Sequence, residues 1–239
     1  MNCPYGYTER QDQHKIWWLL KGQENVILSC IQLVQSGNGT VLKGGRGTTI
    51  SISIDAQTRA VIRRYRRGGL VRHFLTDIYW GYRTRPFKEL HSLTQARKRG
   101  VPTVEVLGAG VERLARGFYR GVLITREAQG YVNLAQWLDQ NKVLQNRLDT
   151  CEQVLETVRF MHDKGVYHPD LNVSNVLISE KNLTPKVMLL DFDRARIYTN
   201  RVRRTLRKRS VNRFRRSINK FDPEGKRLPL SFQRRLTME

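Results

Sequence analysis

Residues 168–175 read His-Pro-Asp-Leu-Asn-Val-Ser-Asn, and residues 189–193 read Leu-Leu-Asp-Phe-Asp. The pattern H-x-D-L-x-x-x-N, followed by an apolar strand that ends in D-F-D, meets the needs of phosphoryl transfer to a hydroxyl group. That reaction uses one carboxylate to accept the hydroxyl proton, and a carboxylate and an amide to hold Mg²⁺ on the nucleotide phosphates. The residue types and their order therefore predict Asp170 as the catalytic base and Asn175 and Asp191 as the metal ligands.

The elements around this pattern support the same interpretation. Residues 148–164 predict an amphipathic helix that Gly165 ends, and residues 176–178 and 187–190 predict two short strands. A hairpin of these strands sets Asn175 and Asp191 at adjacent strand ends, where both can bind one metal ion. The alternative is a surface loop whose Asp and Asn residues cap turns, which explains the residues singly but not their joint order.

The first half of the chain contains candidates for nucleotide binding. Glycines Gly44, Gly45 and Gly47 precede a strand over residues 50–54, and backbone N–H groups of such a loop can cover phosphates. Arg63 lies in a second strand over residues 60–65, where it can neutralise nucleotide phosphate, and Glu89 in a helix over residues 84–99 is its predicted ion-pair partner.

Each of these candidates also has an ordinary structural alternative. The glycine cluster can be a simple hairpin turn, and Arg63 can be one more solvated cation in a basic chain. Glu89 can be an exposed helix residue that pairs locally with Arg85. The run of residues 26–34 is apolar but too short for its pattern to separate strand from helix.

Composition limits the class of protein. A chain of 239 residues can form one large domain or two small lobes, and the net charge of +22 predicts an anionic partner. The three cysteines are scattered without metal-ligand spacing, which favours reduced thiols. The sequence contains neither a membrane-spanning apolar run nor a signal peptide, so we expect a cytoplasmic protein whose membrane contact is peripheral.

The charge is concentrated after the D-F-D motif. Residues 194–221 contain twelve Lys and Arg residues and no acidic residue. Apolar residues recur through this segment at roughly helical spacing, which predicts a basic amphipathic helix or a pair of helices. Part of the apolar stripe must belong to the core, and the charged face of segment 194–220 is expected to bind an anionic surface or substrate.

Taken together, the motifs resemble those of the 3-deoxy-D-manno-octulosonic acid (Kdo) kinases, a branch of the lipopolysaccharide core kinases with a protein-kinase-like fold. The resemblance rests on residues 64–70 (RYRRGGL), 84–90 (TRPFKEL), 168–175 and 190–194 (LDFDR), and it covers roughly residues 40–220. It implies that ATP, with Mg²⁺, phosphorylates the 4-hydroxyl group of Kdo on Kdo-lipid A at the cytoplasmic face of a Gram-negative inner membrane. The anionic glycolipid and the anionic inner-membrane surface are the expected partners, and no nucleic acid is expected.

The resemblance implies an α+β, bilobal, protein-kinase-like fold. Residues 1–125 would form an N-terminal β-sheet lobe with one main helix and a variable N-terminal extension, and residues 126–239 a mostly helical catalytic lobe. Arg63 departs from the lysine that kinases usually place in this strand. The chain also has no A-P-E sequence after Asp193, which favours a small or lipid-linked acceptor over a protein.

Two other functions remain open from the sequence. A small basic kinase that acts on ribosomal or tRNA-associated proteins would share Asp170, Asn175 and Asp191, and its charge would bind RNA. A non-catalytic kinase-like scaffold would bind a membrane or nucleic acid, although a scaffold has no need to keep all three residues.

Overall fold

The computed structural model describes residues 2–42, 49–65, 78–81, 84–140, 143–180 and 185–238. The chain divides into two compact units. Unit 1 comprises residues 1–94 and 105–127, and unit 2 comprises residues 95–104 and 128–239.

Unit 1 is built on one antiparallel sheet whose described strands are β1 (Tyr7–Asp12), β2 (Lys15–Leu20), β3 (Thr40–Val41), β4 (Thr49–Ser53), β5 (Arg59–Arg64), β6 (Tyr79–Trp80), β7 (Val106–Arg113) and β8 (Phe118–Arg126). The strand order is β1-β2-β7-β8-β5-β4-β3, and β6 pairs with β8. The strands predicted at residues 50–54 and 60–65 are β4 and β5, and they pair directly with each other.

Unit 1 contains helix α1 (Glu24–Gln35) as well as most of α2 (Arg85–Lys98). The N-terminal lobe therefore contains a second helix, α1, beside α2, which corresponds to the predicted main helix. Ile27, Ile31 and Val34 follow one another at helical spacing, so α1 presents a single apolar face that packs with the sheet residues Leu19 and Ile124 in the core. This burial decides between helix and strand for the apolar run at residues 26–34.

Unit 2 combines short strands with longer helices, and its described part ends in two helices. Its described elements are β9 (Tyr131–Asn133), α3 (Leu134–Gln140), α4 (Leu144–Asp163), β10 (Val166–Tyr167), β11 (Val176–Ser179), β12 (Val187–Leu189), β13 (Arg196–Ile197), α5 (Arg204–Phe221) and α6 (Leu230–Met238). Strands β12, β11 and β9 form one small sheet, and β10 pairs with β13.

Residues 95–104 belong to unit 2, although they precede β7 of unit 1 in the chain. Strand β7 begins only at Val106, and residues 101–105 directly before it do not continue the strand. Thr103 instead forms a parallel bridge with Leu189 of β12, and its hydroxyl donates a 2.6 Å hydrogen bond to the Leu189 carbonyl. The bridge and the hydrogen bond attach this segment to unit 2. Strand propensity alone does not predict this attachment.

Gly165 ends α4, as its position in the sequence predicts. Its φ of +73° lies in the left-handed region, and a Cβ atom there would approach the carbonyl oxygens of Tyr198 and Asn200 to 2.5 Å. The Tyr198 N–H donates a 2.8 Å hydrogen bond to the Gly165 carbonyl. A side chain at this position would therefore separate two segments that meet directly before the catalytic motif.

We expect His162 of α4 to make stability fall with acidification. Its side chain is 1% exposed, and among the described residues its Nε2 atom has no hydrogen-bond partner. Burial, together with nearby Arg207, lowers the pKa of His162 from 6.5 to about 4. Because the unfolded chain takes up this proton first, the unfolding free energy should fall by about 3 kcal/mol as the pH drops from 6.5 to about 4.

Urea unfolding measured across this pH range tests the expectation. The His162→Leu variant should lose less stability than the wild type over the same interval, and a His14→Leu control at an exposed position should behave as the wild type does. Equal pH slopes in wild type and His162→Leu would show that the loss has another source.

Candidate active site

The loop that contains Asp170 is fixed by the side chains of two asparagines. Asn172 and Asn175 donate hydrogen bonds from Nδ2 to the Asp170 carbonyl, at 2.9 and 3.1 Å. Asn172 also accepts a hydrogen bond from the Ser174 N–H at 2.9 Å and so caps the short helical turn that ends at Asn175. The loop holds the backbone of Asp170 in place and leaves its carboxylate half-exposed.

The hairpin predicted for the metal ligands is present. Strands β11 and β12 pair antiparallel with Val176 opposite Leu189. The Leu190 N–H continues the pairing with a 2.8 Å hydrogen bond to the Asn175 carbonyl. Asn175 and Asp191 therefore lie at neighbouring ends of the two strands, one residue before Val176 and two residues after Leu189.

Asp191 has a backbone conformation that is uncommon for a residue with a side chain. Its φ is +63°, in the left-handed region, which Asp and Asn enter more readily than most other residues. Residues held in this region cluster at functional sites, because the surrounding structure must impose the conformation. Here it turns the chain abruptly at the end of β12, directly before buried Phe192.

The donor atoms in this hairpin fit Mg²⁺. Since Nδ2 of Asn175 is engaged by the Asp170 carbonyl, Oδ1 is the atom with which Asn175 can bind a cation. An amide oxygen and the Asp191 carboxylate are hard oxygen ligands. Mg²⁺ typically takes one or two such protein ligands and completes its shell with water and substrate phosphates.

His168 is a core residue that joins the catalytic loop to the metal loop. It is fully buried and its Nε2–H donates a 2.8 Å hydrogen bond to the Leu190 carbonyl. Burial lowers the pKa of His168, so the neutral ring with the proton on Nε2 is favoured. Its ring also meets Phe192 edge-on, with the centroids 5.2 Å apart. The structure thus agrees with a bracing role and gives no geometry for proton transfer.

Most of the basic segment forms one helix, α5, whose contact with the catalytic loop the sequence did not reveal. Three residues on one face of α5 contact the catalytic loop, and two of them are serines. Ser210 donates a 2.7 Å hydrogen bond to the His168 carbonyl, and Ser217 accepts a 3.1 Å hydrogen bond from the Val173 N–H. Between them Phe214 is fully buried. The helix therefore supports the loop that carries Asp170, and part of its apolar stripe is core, as predicted.

Arg213 is the third contact, and it pairs with the predicted catalytic base. Its Nε and Nη2 atoms lie 3.0 and 2.8 Å from Oδ1 of Asp170. Both side chains are partly exposed, at 37% for Arg213 and 43% for Asp170. Sequence patterns did not identify Arg213 among the many arginines, because only the docking of α5 selects the one that reaches the loop.

Unit 1 contains the predicted ion pair. Nη2 of Arg63 contacts Oε2 of Glu89, and the Tyr65 hydroxyl donates to the same oxygen atom. Glu89 is 1% exposed, so the alternative of a solvent-facing helix residue is wrong. Tyr65 was missed, although the two-residue period of a strand places it on the same face as Arg63.

We expect this pair to contribute strongly to the stability of the protein. Arg63→Met leaves the buried Glu89 carboxylate without its cation and should lower the unfolding free energy by about 2–3 kcal/mol. This is less than the 3–5 kcal/mol typical of fully buried pairs, because about a third of Arg63 is exposed. Adding Glu89→Gln should restore part of the lost unfolding free energy, which urea unfolding measures. A double variant less stable than the single variant would contradict this account.

The predicted phosphate-covering glycines Gly44, Gly45 and Gly47 lie outside the described residues. Residues 66–70, which make up most of the RYRRGGL motif at residues 64–70, lie outside them as well. The described site residues thus form two groups, each within its own unit. Arg63 and Glu89 are in unit 1, and Asp170, Asn175 and Asp191 are in unit 2.

A family model described as "Lipopolysaccharide kinase (Kdo/WaaP) family" matches residues 34–233. A 3-deoxy-D-manno-octulosonic acid kinase of Vibrio cholerae is 31% identical over 78% of this chain and 79% of its own length. Kinases of the same name from Mannheimia succiniciproducens and Pasteurella multocida are 32% and 30% identical, over 63% and 66% of their lengths.

A solved structure, described as WaaP in complex with acyl carrier protein, superposes with a TM-score of 0.58. The match covers 93% of this chain and 98% of that one, at 14% identity, and so concerns the fold alone. The fold is thus α+β and kinase-like, as the motifs predicted. With the family model matched over most of the sequence, the chain belongs to the lipopolysaccharide kinase (Kdo/WaaP) family.

Proposed function

We propose that this protein transfers the γ-phosphoryl group of ATP to the 4-hydroxyl group of Kdo on Kdo-lipid A. The observation that carries the proposal is the arrangement of Asp170, Asn175 and Asp191 in unit 2. One hydrogen-bonded loop and one hairpin hold the three residues. Membership of the family and the names of the related kinases support the acceptor.

In the proposed reaction, Asp170 accepts the proton of the acceptor hydroxyl group. The hydroxyl oxygen forms a bond to the γ-phosphorus atom, the bond from that phosphorus to the β–γ bridging oxygen breaks, and ADP leaves. Asn175 and Asp191 would hold Mg²⁺, which offsets the negative charge of the phosphates. Arg63, held by Glu89, would neutralise nucleotide phosphate, and the amides of Gly44, Gly45 and Gly47 would cover it.

Lipid A core isolated from cells with and without the protein tests the proposal. Mass spectrometry should detect a phosphate on Kdo only where the protein is present. If the Kdo phosphate is unchanged by removal of the protein, the acceptor is wrong, even though the kinase-like fold is unaffected.

We also propose that segment 194–220 binds the anionic cytoplasmic face of the inner membrane peripherally. Among the described residues, no helix has both the length and the apolar character of a membrane span. The segment exposes cations, including Arg203 directly before α5 and Arg204 and Lys208 in the first two turns of the helix. Such cations are attracted to anionic lipid by about 1 kcal/mol each.

Sedimentation with anionic vesicles checks this second proposal. Replacing Arg203, Arg204 and Lys208 with Gln should weaken vesicle binding about a hundredfold at low salt. Replacing the exposed cations Arg10, Lys21 and Lys186 should change it by only a few-fold. Equal losses in the two triple variants would show that total charge, and not this segment, determines binding.

A further inference from the structure

A groove of about 540 Å³ lies beside the catalytic loop, within unit 2. Its lining comes from the residues before Asp170 and from α5: Tyr167, Pro169, Arg209, Asn212, Arg213, Arg215 and Arg216. The volume is in the range of small-molecule sites in proteins. The mechanism above uses none of these residues.

The groove is strongly cationic. Four of its lining residues are arginines and none is acidic. Within the described part of the chain, neither Arg209 nor Arg216 forms an ion pair, whereas Arg207 of the same helix pairs with Asp163 at 2.8 Å. The positive charges of Arg209 and Arg216 at the groove are therefore not neutralised by any described carboxylate.

The spacing of these arginines has an energetic cost. Arg209 and Arg213 are four residues apart and Arg213 and Arg216 three apart, so they are neighbours on one helix face. Like charges at these spacings repel each other and destabilise a helix. Among the described residues, only Asp170 offsets this repulsion, at Arg213, so an anion from outside the chain best completes the arrangement.

Arginine determines which anion fits. The planar guanidinium group forms paired hydrogen bonds with carboxylate and phosphate groups. Arg213 lines the groove and also contacts Asp170. An acceptor anion in the groove would therefore lie close to the carboxylate that takes the proton from the acceptor hydroxyl group.

We infer that Arg209 and Arg216, with Arg213 between them, bind an anionic group of the acceptor and so position its hydroxyl group at Asp170. This inference rests on the proposed function, because the acceptor named there carries both candidate anions: the carboxylate of the sugar acid and the phosphates of lipid A. The two sources share the same chemistry and are separated by the experiment.

Steady-state kinetics of the purified full-length protein test the inference. The double variant Arg209→Gln/Arg216→Gln should raise the KM for Kdo-lipid A about 10–100-fold. The KM for ATP should stay within about twofold of the wild type, which a general disturbance of the fold would not allow. Lys186→Gln removes an exposed charge from the same unit away from the groove and should leave the acceptor KM unchanged.

Two modified acceptors identify the anion. If the carboxylate binds in the groove, methyl esterification of Kdo should make the wild type and the double variant equally weak. If a phosphate binds in the groove, removal of the lipid A phosphates should make the wild type and the double variant equally weak. Either result supports the inference, whereas an unchanged acceptor KM in the double variant, or the same difference with all three acceptors, overturns it.

Failure of the proposed function can be distinguished from failure of this inference. In that case the wild type transfers no phosphoryl group to any of the acceptors. Calorimetric titration with free Kdo and with inorganic phosphate then still decides the inference. Weaker binding of either probe to the double variant supports the groove as an anion site, and equal binding by both proteins contradicts it.

Discussion

Asp170→Asn should slow phosphoryl transfer severely while the protein still folds and binds Mg·ATP. General-base catalysis by a positioned carboxylate contributes about 10²–10⁴-fold, and the loss in kcat should fall in this range. The amide keeps the shape of the side chain but cannot take the proton. The loop should persist, because Asn172 and Asn175 bind the backbone carbonyl of residue 170 and not its carboxylate.

A second ion-paired aspartate in the same unit provides the control. Asp139 contacts Arg227 at 3.5 Å and is similarly exposed. Asp139→Asn removes the same charge and should leave kcat within about twofold of the wild type. Near-normal turnover by Asp170→Asn would show that the base assignment is wrong, whereas a loss of nucleotide affinity would instead point to a structural role of Asp170.

Asp191→Asn should have the next largest effect, through the metal. Removing one preorganised electrostatic group typically lowers kcat about 10²–10³-fold, and the Mg²⁺ concentration for half-maximal rate should rise as well. Asn is the suitable replacement because it tolerates the left-handed backbone that residue 191 adopts. The melting temperature should therefore change little.

Magnesium titrations of wild type, Asp191→Asn and Asp149→Asn provide the measurement. Asp149 is an aspartate of α4 whose carboxylate accepts a hydrogen bond from Gln145, and its replacement should not shift the Mg²⁺ dependence. An unchanged Mg²⁺ midpoint in Asp191→Asn would exclude residue 191 as a metal ligand.

Unit 2 was the more predictable part of the structure. The helix before the catalytic motif, its end at Gly165 and the hairpin after Asn175 all follow from local signals: helical spacing, a glycine and two apolar runs. One loop and one hairpin are enough to bring Asp170, Asn175 and Asp191 together. Short-range information was therefore sufficient for this group.

Contacts between distant segments could not be predicted in the same way. The attachment of Thr103 to β12 depends on a partner 86 residues away, and the Asp170–Arg213 pair spans 43 residues. The sequence identifies α5 as a basic amphipathic helix but does not determine which of its arginines reaches the catalytic loop. The docking of Ser210 and Ser217 on that loop makes this choice.

The Arg63–Glu89 pair lies between these extremes. The two residues are 26 positions apart, and the kinase-like order of strand and helix suggested their contact in advance. The order of the elements did not reveal that Glu89 is buried or that the Tyr65 hydroxyl donates a hydrogen bond to it. Both follow from the packing of α2 in unit 1, which local patterns do not encode.

Transfer of labelled phosphate from ATP to purified Kdo-lipid A tests the central claim most directly. The account predicts one phosphate added at the 4-hydroxyl group of Kdo by the wild-type protein in the presence of Mg²⁺, and transfer about 10²–10⁴-fold slower by Asp170→Asn. Absence of transfer by a folded wild-type protein that binds Mg·ATP, or addition of phosphate at a different group, would contradict it.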